Sequence, residues 1–94
     1  MLSNKTDSIF IGKKPLMTYV TSAIIQLSAI PVVTIKARGQ SIGQAINVVQ
    51  TIIQRTKPAY TTGEIKIGSE SLVSSDGKHR NVPTIEIPIK RNGQ

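Results

Sequence analysis

The chain lacks cysteine and tryptophan, and it has one histidine, three aromatic residues and five acidic residues among 94. Each shortage closes a class of function. Without cysteine there is no disulfide framework, no thiol chemistry and no thiolate-held zinc. With only Phe10, Tyr19 and Tyr60, base stacking on an aromatic platform is not expected as the main mode of binding. The acids Asp7, Glu64, Glu70, Asp76 and Glu86 are scattered, so neither a carboxylate pair nor a metal-ligand cluster can be assembled from them. Ser75, Asp76 and His79 have the residue types of a nucleophilic triad. They fall at a turn, however, where no rigid dry site is expected. The reading is therefore non-enzymatic, with no cofactor, no metal and no small-molecule substrate. No run approaches the ~20 apolar residues of a membrane span. The start of the chain is polar and does not resemble a signal peptide, so a cytoplasmic protein is expected.

What the chain does have is positive charge. Twelve Lys and Arg give a net charge of +7. On a single small domain such an excess points to a polyanion, most often nucleic acid, the bland alternative being solubilising surface lysines. Residues 1–7 read as a polar leader, 8–91 as one domain and 92–94 as a tail.

Residues 8–12 read as a short strand with either Phe10 or its two Ile neighbours facing the core, and Pro15 suits the start of a helix. Leu16, Met17, Val20, Ile24 and Leu27 then recur at helical spacing. Residues 31–38 alternate as a strand, with Val33, Ile35 and Ala37 on one side and Thr34, Lys36 and Arg38 on the other. Gly39 ends it. Ile42, Ala45, Ile46, Val49, Ile52 and Ile53 form the apolar stripe of a second helix, opposite a face of Gln40, Gln44, Asn47, Gln50 and Gln54. Residues 56–63 read as a loop. Residues 64–73 and 82–90 alternate as strands, with Ile65, Ile67, Ile85, Ile87 and Ile89 expected in the core. Asp76-Gly77 marks the hairpin turn between them. The outer part of this hairpin has little to bury, so it should project as a polar arm of about 23 Å. The expected fold is α+β: a two-layer β-α-β-α-β-β sandwich, its mixed four-stranded sheet carrying two helices on one face and a protruding hairpin.

Three groups of cations stand out. Lys13 and Lys14 lie between the first strand and the first helix, where free amides and the helix dipole already favour an anion. The turn is either a phosphate clamp or simply solvated. It is not a nucleotide-binding P-loop, because the glycine-rich run is missing. Lys36 and Arg38 share a strand face, and Arg38 at the strand end can hold phosphate with two donors. Lys78, His79 and Arg80 cluster at the hairpin tip, where an arginine on a ribbon suits a narrow minor groove.

Ile9-Phe10-Ile11-Gly12-Lys13-Lys14-Pro15-Leu16-Met17-x-Tyr19-Val20, Ile35-Lys36-Ala37-Arg38-Gly39, Ile67-Gly68-Ser69 and Thr84-Ile85-Glu86-Ile87 occur in order and at matching separations. Together they resemble the Alba family of archaeal chromatin proteins over residues 8–91. The resemblance implies a homodimer that binds double-stranded DNA and RNA without strong sequence preference, contributing to chromosome compaction or RNA stabilisation in a chromosome-associated, cytoplasmic setting. A dedicated RNA-binding ribonucleoprotein subunit, or a heterodimer with a basic paralogue, is the alternative. It further implies that Lys13 and Lys14 form the central pair, that Arg38 flanks them, that Lys78 and Arg80 belong to the arms, and that Lys13 is a candidate for acetylation. Two positions depart from the family pattern. Gln40 stands where a second basic residue is common, and Thr56 stands where a large apolar residue often mediates contact between dimers.

Overall fold

The computed structural model describes residues 7–93; the leader expected at residues 1–7 and the end of the tail lie largely outside this range. Strand β1 (Ser8–Phe10) leads through a turn to helix α1 (Leu16–Leu27), and strand β2 (Val32–Arg38) follows. A single 3-10 turn (Gly39–Ser41) then enters helix α2 (Ile42–Thr56). Strands β3 (Tyr60–Thr62), β4 (Lys66–Val73) and β5 (His79–Arg91) complete the chain. The sheet runs β1-β2-β5-β3, and β4 pairs with the remaining length of β5. Only β1 and β2 are parallel; β5 runs antiparallel to all its neighbours, so the sheet is mixed.

Alternation decides which face of the sheet is covered. Val33, Ile35 and Ala37 of β2 and Ile85, Ile87 and Ile89 of β5 turn to the helices and are buried. They meet Val20, Ala23 and Leu27 of α1 and Ala45, Val48, Val49 and Ile52 of α2 in one core. Each fully buried Val or Ile contributes about 1.5–3 kcal/mol from apolar burial. The intervening residues Thr34, Lys36, Arg38, Thr84 and Glu86 occupy the opposite face, which carries no helix.

Among the described residues the sheet has five strands where four were expected. The extra one is Tyr60–Thr62, which precedes the expected third strand and lies on the same edge of β5. Thr62 pairs with Ile89 and Lys66 with Glu86, so three residues on one strand face two on the other. That is a β-bulge, and it splits one long strand in two. It sits where the edge strand passes Pro88: Gly63 N donates to Pro88 O at 2.9 Å, and a Cβ on Gly63 would meet the Pro88 ring at 3.1 Å. A side chain at residue 63 would therefore push the strand off the proline.

Ile65 and Ile67 are not core residues, contrary to the alternation-based expectation. They are 50% and 82% exposed. Ile67 does pair with buried Ile85 on the helix-bearing side of the sheet, but it lies on the edge strand. Ile46 of α2, itself 44% exposed, and Ile65 line one surface depression with Ile85, the residue that Ile67 pairs with, so the three leave an apolar patch there. At the chain end, Asn92 is anchored: its amide donates to Ala59 O and its side chain to Pro58 O, at 2.8 and 3.1 Å. Among the described residues no helix is long and apolar enough to cross a membrane.

Candidate nucleic-acid interface

The turn at Lys13 and Lys14 is built by a tyrosine one helical turn further on. Tyr19 is buried, and its hydroxyl accepts from the amides of Gly12 at 2.8 Å and Lys14 at 3.0 Å. Two of the turn's donors are thus already used, and in return the turn is pinned to α1. Both lysine side chains remain exposed. Pro15 caps the helix without a side-chain hydrogen bond, and the first turn of α1 has no acidic residue. Thr18 N donates to Pro15 O at 3.1 Å, which leaves the amides of Leu16 and Met17 to open the helix. Among the described residues, neither an acid in that turn nor an ion pair neutralises the positive end of the helix dipole or the two ammonium groups. Tyr19 is the residue that sequence reasoning missed. Its signal was a hydroxyl-bearing aromatic in an otherwise aliphatic stripe.

Because β1 and β2 are parallel, the residue 12–14 turn and the Arg38–Gly39 end of β2 open at the same edge of the sheet. Ile11 N donates to Lys36 O at 2.9 Å, which fixes that register. Gly39 turns the chain here with φ +59, and a Cβ on it would approach Val82 to 3.3 Å. Arg38 pairs in the sheet with Thr84, so the residue 69–73 and 79–83 segments of the hairpin run beyond β2 at this edge. The arm projects from the same end of the sheet as the lysine turn. All of β4, the arm's residues 69–73 included, is exposed.

The tip is more closely specified than the Asp-Gly pair implied. Ser74 N donates to Lys78 O and Gly77 N to Ser74 O, at 2.8 and 2.9 Å. Gly77 has φ +84 while among the described residues no non-glycine has positive φ, so the loop is a type I turn followed by a left-handed glycine. Asp76 accepts from the Ser74 hydroxyl and from Lys78 N. These bonds, the serine's first, hold its carboxyl below the ordinary aspartate range. The carboxylate therefore serves the turn. Lys78 and Arg80 are exposed beside it, and Arg80 lies across from Leu72.

The other two cations lie on the helix-free face. Arg38 Nη1 pairs with Glu70 Oε1 at 2.9 Å, with both side chains more than half exposed. Lys36 sits one register step further in, its Nζ 5.8 Å from the centre of the Phe10 ring. The structure thus brings Lys13, Lys14, Arg38, Lys78 and Arg80 to one end of the sheet and sets Lys36 apart on the open face. Among the described residues no group of three or more His, Asp or Glu side chains could hold a metal ion.

The Alba family profile matches residues 7–69, more than half of the chain. The chain belongs to the Alba family. It is 63% identical to the DNA/RNA-binding protein Alba of Nitrosopumilus maritimus over 93 residues, which cover 98% of each chain. Alba from Thermoplasma volcanium superposes with a TM-score of 0.82 at 35% identity, covering 89% of this chain and 99% of that one. ALBA1 from Trypanosoma brucei superposes at 0.72 with 18% identity, covering 95% and 72% of the two chains, and shares the fold. Against the Alba pattern, Thr56 ends α2 half-buried, with its hydroxyl turned back to donate to Ile52 O at 2.8 Å. Gln40 lies exposed in the turn before α2.

Proposed function

We propose that this chain binds double-stranded DNA and RNA without sequence preference, as a homodimer that grips the sugar–phosphate backbone. One observation carries the reading: the Lys13–Lys14 turn, Arg38 and a cationic arm ending in Lys78 and Arg80 lie at one end of the sheet. The DNA/RNA-binding name of the 63% identical relative supports it. The cations meet phosphates, the α1 amides add a fixed dipole, and the ribbon reaches along a groove.

Dimerisation uses the patch of Ile46, Ile65 and Ile67, which borders a depression of about 250 Å³ floored by Val49, Ile85 and Ile87. An apolar patch of this kind on a small basic protein fits a second copy of itself. Two chains at +7 give a dimer charge of +14. Lys13 is exposed, so acetylation there would remove a charge from the clamp and weaken phosphate binding. The protein then acts on chromosomal DNA or on RNA in the cytoplasm.

The test is a fluorescence anisotropy titration of two unrelated DNA duplexes and one RNA duplex over a range of salt. The expected result is similar affinity for both DNA sequences and a steep linear fall of log K with log salt. No complex in dilute salt, or strong preference for one duplex sequence, would overturn the reading.

A further inference from the structure

The helix-free face of the sheet has a feature that duplex binding does not use. Phe10 alternates with the buried Ile9 and Ile11, so its ring stands on the open face, 74% exposed. It belongs to neither the core nor the apolar patch at Ile46, Ile65 and Ile67. Next to it lies a depression of about 510 Å³, walled by Phe10 and Lys36 on one side and by Glu70 and Glu86 on the other. The size is that of an ordinary ligand cleft. Its floor stays low because Thr84 is small and Gly68 has no side chain; a Cβ there would meet the Thr84 hydroxyl at 3.2 Å.

Register fixes the chemistry of the site. Phe10, Lys36, Glu86 and Lys66 form one row across the sheet, and Arg38, Thr84 and Gly68 form the next. The site therefore offers an aromatic face with an ammonium 5.8 Å from its centre, a guanidinium one step away, and a carboxylate able to accept from a base edge. Two cations, Lys36 and Arg38, and two carboxylates, Glu70 and Glu86, line the depression. Arg38 is held by Glu70, and Lys66 lies beyond Glu86 in the same row. A phosphate would therefore meet the Lys36 ammonium and compete with Glu70 for Arg38. Inside a duplex the base faces are buried in the stack, so away from duplex ends an unpaired nucleotide is needed to present such a face. We propose that this face holds an unpaired nucleotide of a single strand, its base stacked on Phe10 and its phosphate held by Lys36 and Arg38. Ile11 and Arg38, which line the depression, are followed in the chain by the two turns at that end of the sheet, so a strand leaving a duplex gripped there would have only a short way to go.

The test compares an unstructured RNA of about 12 nucleotides, a length within the usual single-strand site size, with a blunt RNA duplex. Phe10→Ala should weaken single-strand binding about 5- to 150-fold, the range for losing one base–aromatic stack. Duplex affinity should stay within about twofold, since the ring makes no duplex contact. Phe10→Tyr, which keeps the ring, should retain single-strand binding, and 2-aminopurine in the strand should be quenched by the wild type but not by Phe10→Ala. Unchanged single-strand affinity in Phe10→Ala, or an equal loss on the duplex, overturns the proposal. A wild-type protein that binds duplex but no single strand overturns this proposal alone. One that binds neither overturns the proposed function as well.

Discussion

Removing the Tyr19 hydroxyl tests whether the lysine turn is a built structure or a loose linker. Tyr19→Phe keeps the ring, which is 6% exposed, and deletes the single oxygen that accepts from Gly12 N at 2.8 Å and Lys14 N at 3.0 Å. A typical hydrogen bond contributes about 0.5–1.5 kcal/mol net, and an amide left buried without a partner costs about 1–3 kcal/mol. Lys14 is exposed, so water replaces the oxygen there; Gly12 is half-buried and recovers less. The expected loss is therefore about 1–2 kcal/mol. Urea denaturation at one fixed protein concentration should show a lower midpoint with an unchanged m-value. Because the turn also positions two ammonium groups, duplex affinity should fall although no charge has been removed. An unchanged midpoint together with unchanged affinity would refute the claim that Tyr19 organises the clamp.

Ile67→Asp places a carboxylate in the proposed dimer contact, so light scattering should show 10.2 kDa in place of twice that mass; equal masses for variant and wild type would exclude this patch. Glu70→Gln releases Arg38 from its 2.9 Å ion pair. Duplex affinity should rise and the salt slope steepen by about 0.9 per arginine engaged. Stability should change by less than about 1 kcal/mol, since the pair is solvent-screened; a weaker complex would mean that Glu70 positions Arg38 rather than competing for it. The lowered pKa of Asp76 means that its contribution to the hairpin tip is fully present above the unfolded-state value and is lost as pH falls through the folded-state value. The titration of the Asp76 carboxyl carbon followed by NMR should have its midpoint below the ordinary aspartate range, and a midpoint at or above that range would contradict the role of the Ser74 and Lys78 bonds.

Much of the fold was legible because two periodicities are written in the chain. Val33, Ile35 and Ala37 alternate without a break, and Ala45, Val49 and Ile52 repeat at helical spacing; all are buried, although Ile46 of the same expected stripe is 44% exposed and Val48, outside it, is buried. The extra strand was not legible. Tyr60–Thr62 is only three residues long, and what separates it from β4 is Gly63 passing the Pro88 ring, a contact between residues distant in sequence. Ile65 and Ile67 carry the alternation of core residues, but alternation reports which face a side chain takes, not whether a helix lies over that face. At the candidate site the cations were visible as residue types. Their partners were not, because Tyr19 beneath the turn, Glu70 on Arg38 and Phe10 beside Lys36 depend on register and on chain reversal. Phe10 shows this most plainly: three residues of alternation left open whether Phe10 or its two Ile neighbours face the core, and the burial of Ile9 and Ile11 turns Phe10 outward.

The central claim is that the Lys13–Lys14 turn meets phosphate. The most direct measurement is the salt dependence of duplex DNA binding for Lys13→Ala plus Lys14→Ala beside the wild type. If both lysines of both protomers contact phosphate, the slope of log K against log salt should fall in magnitude by about 3.6, by the same amount on unrelated sequences. An identical slope for variant and wild type would remove the pair from the interface and contradict the account.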